Sequence, residues 1–254
     1  MKRSPKALKV GPTAIFGTLC EEQIKVPTIL RRLLRARIEG AELLPFQVES
    51  LNLKNTVACM QLMDIAGLVV RGGHRNEIWR HLPKLDPMAR RSRIVDTVAR
   101  KGRAMVGHNA MGMASLNWAR ESISPQRGKK PVALIAGSAP EIPSAAAALL
   151  SAGWNVIHYR PAGGRSSLSI KGIRHITKTS PLPSNPHLLI AGQMTKSQAQ
   201  KLSRALQGQH PSVLDLRERT GEVKFPGRLR LGRKRLQGLF YHTCIDILTS
   251  RKSS

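Results

Sequence analysis

The thirty or so residues from Val132 to Pro161 constrain the fold more than any other part of this chain. VALIAG (132–137) is a short, unbroken apolar run of the kind found in strands covered on both faces. The turn SAPEIP follows, and then SAAAALLSAG (144–153), rich in the strongest helix formers and ended by Gly153. NVIHYRP (155–161) returns to a strand pattern. Parallel neighbours need a crossover, so strand, helix and strand at this length predict a βαβ unit. The alternation continues through HLLIAG (187–192), a helix over SQAQKLSRAL (197–206) and a strand at SVLDL (212–216).

The N-terminal half alternates in the same way. TAIFGTLC (13–20) reads as a strand, and Pro27–Ile38 as a helix with Ile29, Leu30, Leu33, Leu34 and Ile38 on one face. LLPFQVES (43–50) is a second strand, LKNTVACMQLMDIAG (53–67) an amphipathic helix and LVV (68–70) a third strand. NEIWRHLPKL is expected to continue as helix. IVDTVAR (94–100) and RAMVGHN (103–109) are expected to form two strands around a turn at Lys101-Gly102. A linking helix covers MASLNWARESI (113–123), and the polar SPQRGKKP (124–131) marks a domain boundary. GRKRLQGLFYHTCIDILTS (232–250) closes the chain as a helix. The class is α/β.

With 254 residues and 41% apolar content, a buried core is expected, and 4% aromatics makes it an aliphatic one. No apolar run approaches the ~18 residues of a membrane span. Met1–Lys9 is basic and precedes a mildly apolar stretch, but Gly11, Pro12 and Gly17 suit a strand entry better than a signal peptide, so a cytoplasmic location is expected. Cys20, Cys59 and Cys244 are far apart, and the eight histidines form no HExxH, so neither a disulfide framework nor a metal site is indicated.

Charge is the unusual global feature: 42 Lys and Arg against 15 Asp and Glu, net +27, spread over both halves of the chain. Such a surface attracts polyanions, and a non-catalytic basic protein that binds nucleic acid or presents a scaffold is one function consistent with it. The basic run Arg228–Arg235 (RLRLGRKR) is a candidate phosphate contact, and Arg71, His74 and Arg75 together are a candidate clamp for a small anionic ligand. Trp79, Trp118 and Trp154 are isolated from one another and form no obvious stacking platform.

The order GLVVRGGHR, LDPMARRSRIVDTVARKGRAMVGHNAMG, then the βαβ unit, VLDL and a final helix resembles the shikimate dehydrogenase family. That family shows NVTIPHK, a run like LDPLARRIGAVNTV and a hairpin ending GYNTDG; Gly67, Val70, His74, Asp86, Ala89, Thr97, Val98, Gly107, Asn109 and Gly112 match. The resemblance spans about residues 14–248. It implies an N-terminal α/β substrate-type domain (1–112 plus the returning C-terminal helix, 236–254) and a Rossmann-like NADP-type domain (113–235). The activity it implies is NADP-dependent interconversion of 3-dehydroshikimate and shikimate, in aromatic amino acid biosynthesis.

The chain departs from the family where the chemistry lies. Reduction of a ketone needs a proton donor beside the developing alkoxide. The family's Lys and Asp for this task align with Arg75 and Met111. Arginine stays protonated and is a poor proton shuttle, and methionine carries no proton. Positions matching the family's substrate contacts are Val69, Arg71, Asp96, Thr97, Asn109 and Thr243, of which Thr97 and Asn109 retain the family's residue; the early SxSP motif is shortened to Lys25–Pro27. The family's phosphate-binding GAGGAARA aligns with a run beginning Gly137, Ser138, Ala139, in which Pro140 and Pro143 lack N–H groups and Glu141 adds negative charge. Arg160 falls where the family grips the adenosine 2′-phosphate. The resemblance therefore implies an oxidoreductase fold with impaired catalysis and weakened NADP binding.

Overall fold

The computed structural model describes residues 14–21, 26–123, 129–160, 168–177, 180–217, 223–227 and 229–250. They fall into two compact units, one within Met1–Ala110 and Leu239–Ser254, the other within Met111–Gly238.

The first unit contains β1 (Ile15–Cys20), α1 (Thr28–Arg37), β2 (Glu42–Gln47), α2 (Leu53–Leu62) and β3 (Gly67–Val70). It continues with β4 (Lys84–Leu85), α3 (Pro87–Ser92), β5 (Thr97–Lys101) and β6 (Ala104–His108). The sheet order is β2-β1-β3-β5-β6-β4. β1 pairs in parallel with both β2 and β3, whereas the β5–β6 hairpin enters antiparallel against β3. The core is aliphatic: Leu19, Leu53, Val57, Met60, Leu68, Val70, Ile78, Val98 and Met105 are buried together. α1 buries Leu30 and Leu34 and leaves Arg31, Arg32 and Arg35 in solvent, the division that its spacing predicts.

One expected helix is not there. NEIWRHLPKL forms a 3₁₀ turn at Ile78–His81, preceded by another at Gly72–Asn76, and then the two-residue edge strand β4. Leu82 is extended (φ −97, ψ 133), as the residue before a proline prefers, and Pro83 cannot donate an amide to a preceding turn. α3 instead begins at Asp86, whose carboxylate accepts from the Ala89 N–H at 2.6 Å, with Pro87 in the first turn.

The second unit starts with α4 (Ala110–Ser122), whose first residue belongs to the first unit, and β7 (Val132–Ala136). α5 (Ile142–Ser151), β8 (Asn155–Arg160), β9 (Arg174–Thr177), β10 (Leu188–Ala191), α6 (Lys196–Ala205), β11 (Ser212–Asp215) and β12 (Arg230–Gly232) follow. All pairs in the sheet β12-β11-β10-β7-β8-β9 are parallel, giving the doubly wound, Rossmann-type pattern. α7 (Arg233–Thr249) begins in the second unit and ends in the first, with the division at Gly238–Leu239. Among the described residues no helix is long and apolar enough to cross a membrane.

Candidate functional site

In the first unit the residues that align with the family's substrate side lie at the carboxyl ends of β1 and β3 and around the β5–β6 hairpin. His74 is fully buried, with Nε2 2.7 Å from the Val48 carbonyl and Nδ1 3.9 Å from the Glu21 carboxylate. Glu21 also accepts from the Ser50 hydroxyl at 2.5 Å. The neighbouring Arg75 is directed elsewhere: its Nη2 lies 3.8 Å from Oδ2 of the fully buried Asp96. At that separation charge attraction operates without a hydrogen bond, and Nε and Nη2 of Arg75 have no hydrogen-bond partner among the described residues.

Asp96 sits in a nest of buried groups. Its Oδ1 accepts from the Ala110 N–H at 2.7 Å and from the Thr97 hydroxyl at 3.3 Å. The Thr97 hydroxyl also lies 3.2 Å from Sγ of Cys244 on α7. Burial pushes the Cys244 thiol well above its usual range, and the charge of Asp96 pushes it the same way, so it is a neutral S–H. This four-residue assembly of Arg75, Asp96, Thr97 and Cys244 joins positions up to 169 apart in sequence, and Cys244 carries no local signal of belonging to it.

Val69 is enclosed in the middle of the sheet. Arg71 is half-buried and its N–H donates to the Leu19 carbonyl at 2.9 Å. Asn109 is fully buried; its side-chain amide donates to Ser92 at 2.8 Å and its backbone N–H to Asp86 at 3.1 Å. Burial raises the Asp86 pKa, but hydrogen bonds from His108, Ala89 and Asn109 outweigh it and hold the carboxyl below its usual range. Thr243 donates to the Leu239 carbonyl one turn back on α7. Lys25 lies outside the described residues, and Val26 and Pro27 lead into α1. Of the candidate clamp Arg71, His74 and Arg75, His74 is held by a carbonyl beside Glu21 while Arg75 faces Asp96.

The second unit carries the cofactor-side positions. Open α/β sheets bind ligands beyond the carboxyl ends of the strands where the strand order reverses, which here is between β7 and β10. At that point Gly137 has φ +80, and its missing side chain leaves room for the loop after β10: a Cβ there would lie 2.5 Å from the Gln193 carbonyl oxygen. The Ser138 N–H donates to Gln193 O at 3.1 Å and the Gln193 N–H returns to Ser138 O at 2.6 Å. Ala139 accepts from the Ile142 N–H at 3.1 Å. Glu141 is buried at the N-cap position of α5 without a side-chain capping hydrogen bond, and its Oε1 accepts from Nε of Arg233 at 2.9 Å. Its Oε2 and the Ser144 hydroxyl are buried with no hydrogen-bond partner among the described residues. Arg160 is half-buried at the end of β8. Met111, on α4, is buried and accepts at its carbonyl from the Ser115 hydroxyl.

The basic run at the start of α7 is partly paired within the protein, and its Lys234 and Arg235 are exposed. Arg230 is bonded to Asp215, Arg233 to Glu141, and Arg228 lies outside the described residues. Asp215 is fully buried and is gripped further by both arms of Arg217, whose guanidinium stacks 4.5 Å from the Phe225 ring centroid.

No family model matches the chain. A shikimate dehydrogenase (NADP(+)) from Bacillus cereus (strain G9842) is 34% identical over 96 residues, 37% of this chain and 34% of the relative. The match thus spans about a third of the length of that curated relative. A shikimate 5-dehydrogenase structure from Mycobacterium fortuitum superposes with a TM-score of 0.72 at 14% identity, covering 96% of both chains. The chain has the shikimate dehydrogenase fold. A shikimate dehydrogenase solved in complex with NADP+ shows the same likeness, with a TM-score of 0.65 at 18% identity over 96% of this chain and 92% of that one. The likeness in sequence covers about a third of the chain, and the likeness in structure is one of fold, an α/β unit and a Rossmann-type unit.

Proposed function

We propose that this shikimate dehydrogenase-like protein no longer performs the family's hydride transfer. The observation that carries the reading is the pairing of Arg75 with the buried Asp96. A guanidinium keeps its proton, and burial pushes the Cys244 thiol up, so neither Arg75 nor Cys244 can serve as a proton shuttle near neutral pH. The lysine of the family motif would supply an amine at this position; arginine supplies a fixed positive charge.

The loop at 137–144 gives separate support, because its residues do not fit a dinucleotide pyrophosphate. A phosphate at a helix N-terminus needs free backbone N–H groups. Pro140 and Pro143 have none, and those of Ser138 and Ile142 are engaged within the protein. Glu141 holds the helix start with its carboxylate paired to Arg233, so that place is taken by an ion pair within the protein.

The test is turnover of shikimate with NADP+ by the purified chain, followed by nicotinamide reduction. We expect no rate above the enzyme-free control, and a kcat in the ordinary enzyme range of ~1–10³ s⁻¹ would overturn the proposal. Replacing Arg75→Lys together with Met111→Asp is expected not to restore activity, since the phosphate loop is unchanged.

A further inference from the structure

We propose that the face carrying Trp79, Arg80, Lys84, Arg90, Arg91 and Arg93 is a docking surface for single-stranded nucleic acid. These residues lie within 79–93, which runs from the 3₁₀ turn Ile78–His81 through the edge strand β4 and α3, and Arg93 at the end of α3 comes back to Trp79. Trp79 is half-buried and anchored by its indole N–H, which donates to the Asn76 carbonyl at 2.9 Å. The guanidinium carbons of Arg80 and Arg93 each lie 5.5 Å from its ring centroid. Arg93 reaches this place from a left-handed backbone, φ +56, immediately after α3. Arg80, Lys84, Arg90, Arg91 and Arg93 are all exposed.

What sets this segment apart is the clustering of unpaired cations beside an indole. Some arginines elsewhere find carboxylates: Arg35 has Glu42, Arg37 has Asp246, Arg217 and Arg230 share Asp215, and Arg233 has Glu141. None of the five cations on this face has a carboxylate within 4.0 Å among the described residues. Residues 77–93 hold two acids, Glu77 and Asp86, and Asp86 is engaged by His108 and two backbone amides. Five uncompensated charges around a guanidinium-flanked indole suit a flexible polyanion with planar groups: phosphates meet the guanidinium forks, and bases stack on the cationic and aromatic planes. A lipid surface fits less well, because the large exposed apolar side chains (Leu44, Leu51, Leu62, Met63, Leu229 and Leu239) all lie outside this segment.

The full chain should be titrated against a labelled oligo-deoxythymidine over about 50 to 200 mM NaCl, where neutralising four phosphates gives a log–log slope of about −3. The informative pair is R90E/R91E on α3 against R31E/R32E on α1. Arg31 and Arg32 are also exposed and also without a carboxylate among the described residues, and the two double variants change net charge equally. We expect R90E/R91E to weaken binding about tenfold or more, and R31E/R32E less than about threefold. R90Q/R91Q serves if the reversed pair does not fold, with a proportionally smaller loss. Trp79→Phe should remove any fluorescence change that accompanies binding. Equal losses from the two pairs would overturn the proposal by showing attraction to net charge alone. So would an absence of binding at the lowest salt, or a preference for phosphatidylserine vesicles over the oligonucleotide.

Discussion

Exchanging a lysine for an arginine keeps the charge and changes almost everything else that matters at position 75. An ammonium can lose its proton when buried or crowded, whereas a guanidinium does not, so the two residues differ in chemistry even where they share a place. The departures at Arg75 and Met111 from the pattern of the family that the chain resembles are readable from the sequence, because both positions lie in recognisable runs. Cys244, Glu21 and Gln193 were not legible in the same way: each meets its partner across a long stretch of chain, and no local pattern names the pair. His158 shows what burial does to a single group. It is buried on β8, and desolvation, then the charges of His175 and Arg160, lower its pKa to about 4, against a weaker opposing hydrogen bond to the Gly137 backbone. Between about pH 4 and the unfolded value of 6.5 the unfolded chain therefore binds more protons at this position than the folded one. Its contribution is complete above pH 6.5 and declines as pH falls toward 4, by up to about 3 kcal/mol. Urea unfolding at pH 7 and pH 5 should show a smaller loss on acidification for His158→Gln than for the natural chain; equal losses would mean the ring titrates normally.

At the scale of elements, strands and helices were largely readable because their signals are local. The helix expected over Pro27–Ile38 runs from Thr28 to Arg37, and VALIAG ends as a strand one residue before its glycine. The strands β9 and β12 carry no such signal, since RHIT and RLG are short, polar edge segments that exist only through pairing with β8 and β11. The loop after β7 was readable as altered, from its prolines, but not as tied to the loop after β10. That tie is measurable through glycine. Gly137 and Gly153 have nearly equal backbones, φ +80 and φ +83, but only Gly137 faces other atoms, with the Gln193 oxygen 2.5 Å from its virtual Cβ and nothing within 4 Å at Gly153. Gly153→Ala should cost roughly 1 kcal/mol, the strain of a left-handed alanine. Gly137→Ala should cost about 1–3 kcal/mol more, because backbone of the opposing loop must move. Denaturant titration of the two variants separates these terms, and equal costs would show that the β7 and β10 loops are not firmly joined.

The whole molecule carries its charge in both units: 22 basic against 10 acidic residues in the first and 20 against 5 in the second. Neither unit can neutralise itself, so each folded unit concentrates like charge that the unfolded chain spreads out. Added salt acts on two opposing contributions. It weakens attractive surface pairs such as Arg35–Glu42 and Arg37–Asp246, which are exposed and worth at most about 1 kcal/mol apiece. It also screens the repulsion among the remaining cations wherever they stand farther apart than the Debye length, ~10 Å at an ionic strength of 0.1 M. The buried pairs around Asp215 are largely protected from screening. With cations outnumbering carboxylates 42 to 15, the repulsive contribution dominates and the sign is fixed. Raising NaCl from about 50 to 500 mM should therefore raise the unfolding midpoint, each kcal/mol gained moving it ~2–4 °C for a chain of this size. A midpoint that falls with salt would mean that specific ion pairs, and not the uniform excess of positive charge, govern the electrostatics of the folded chain.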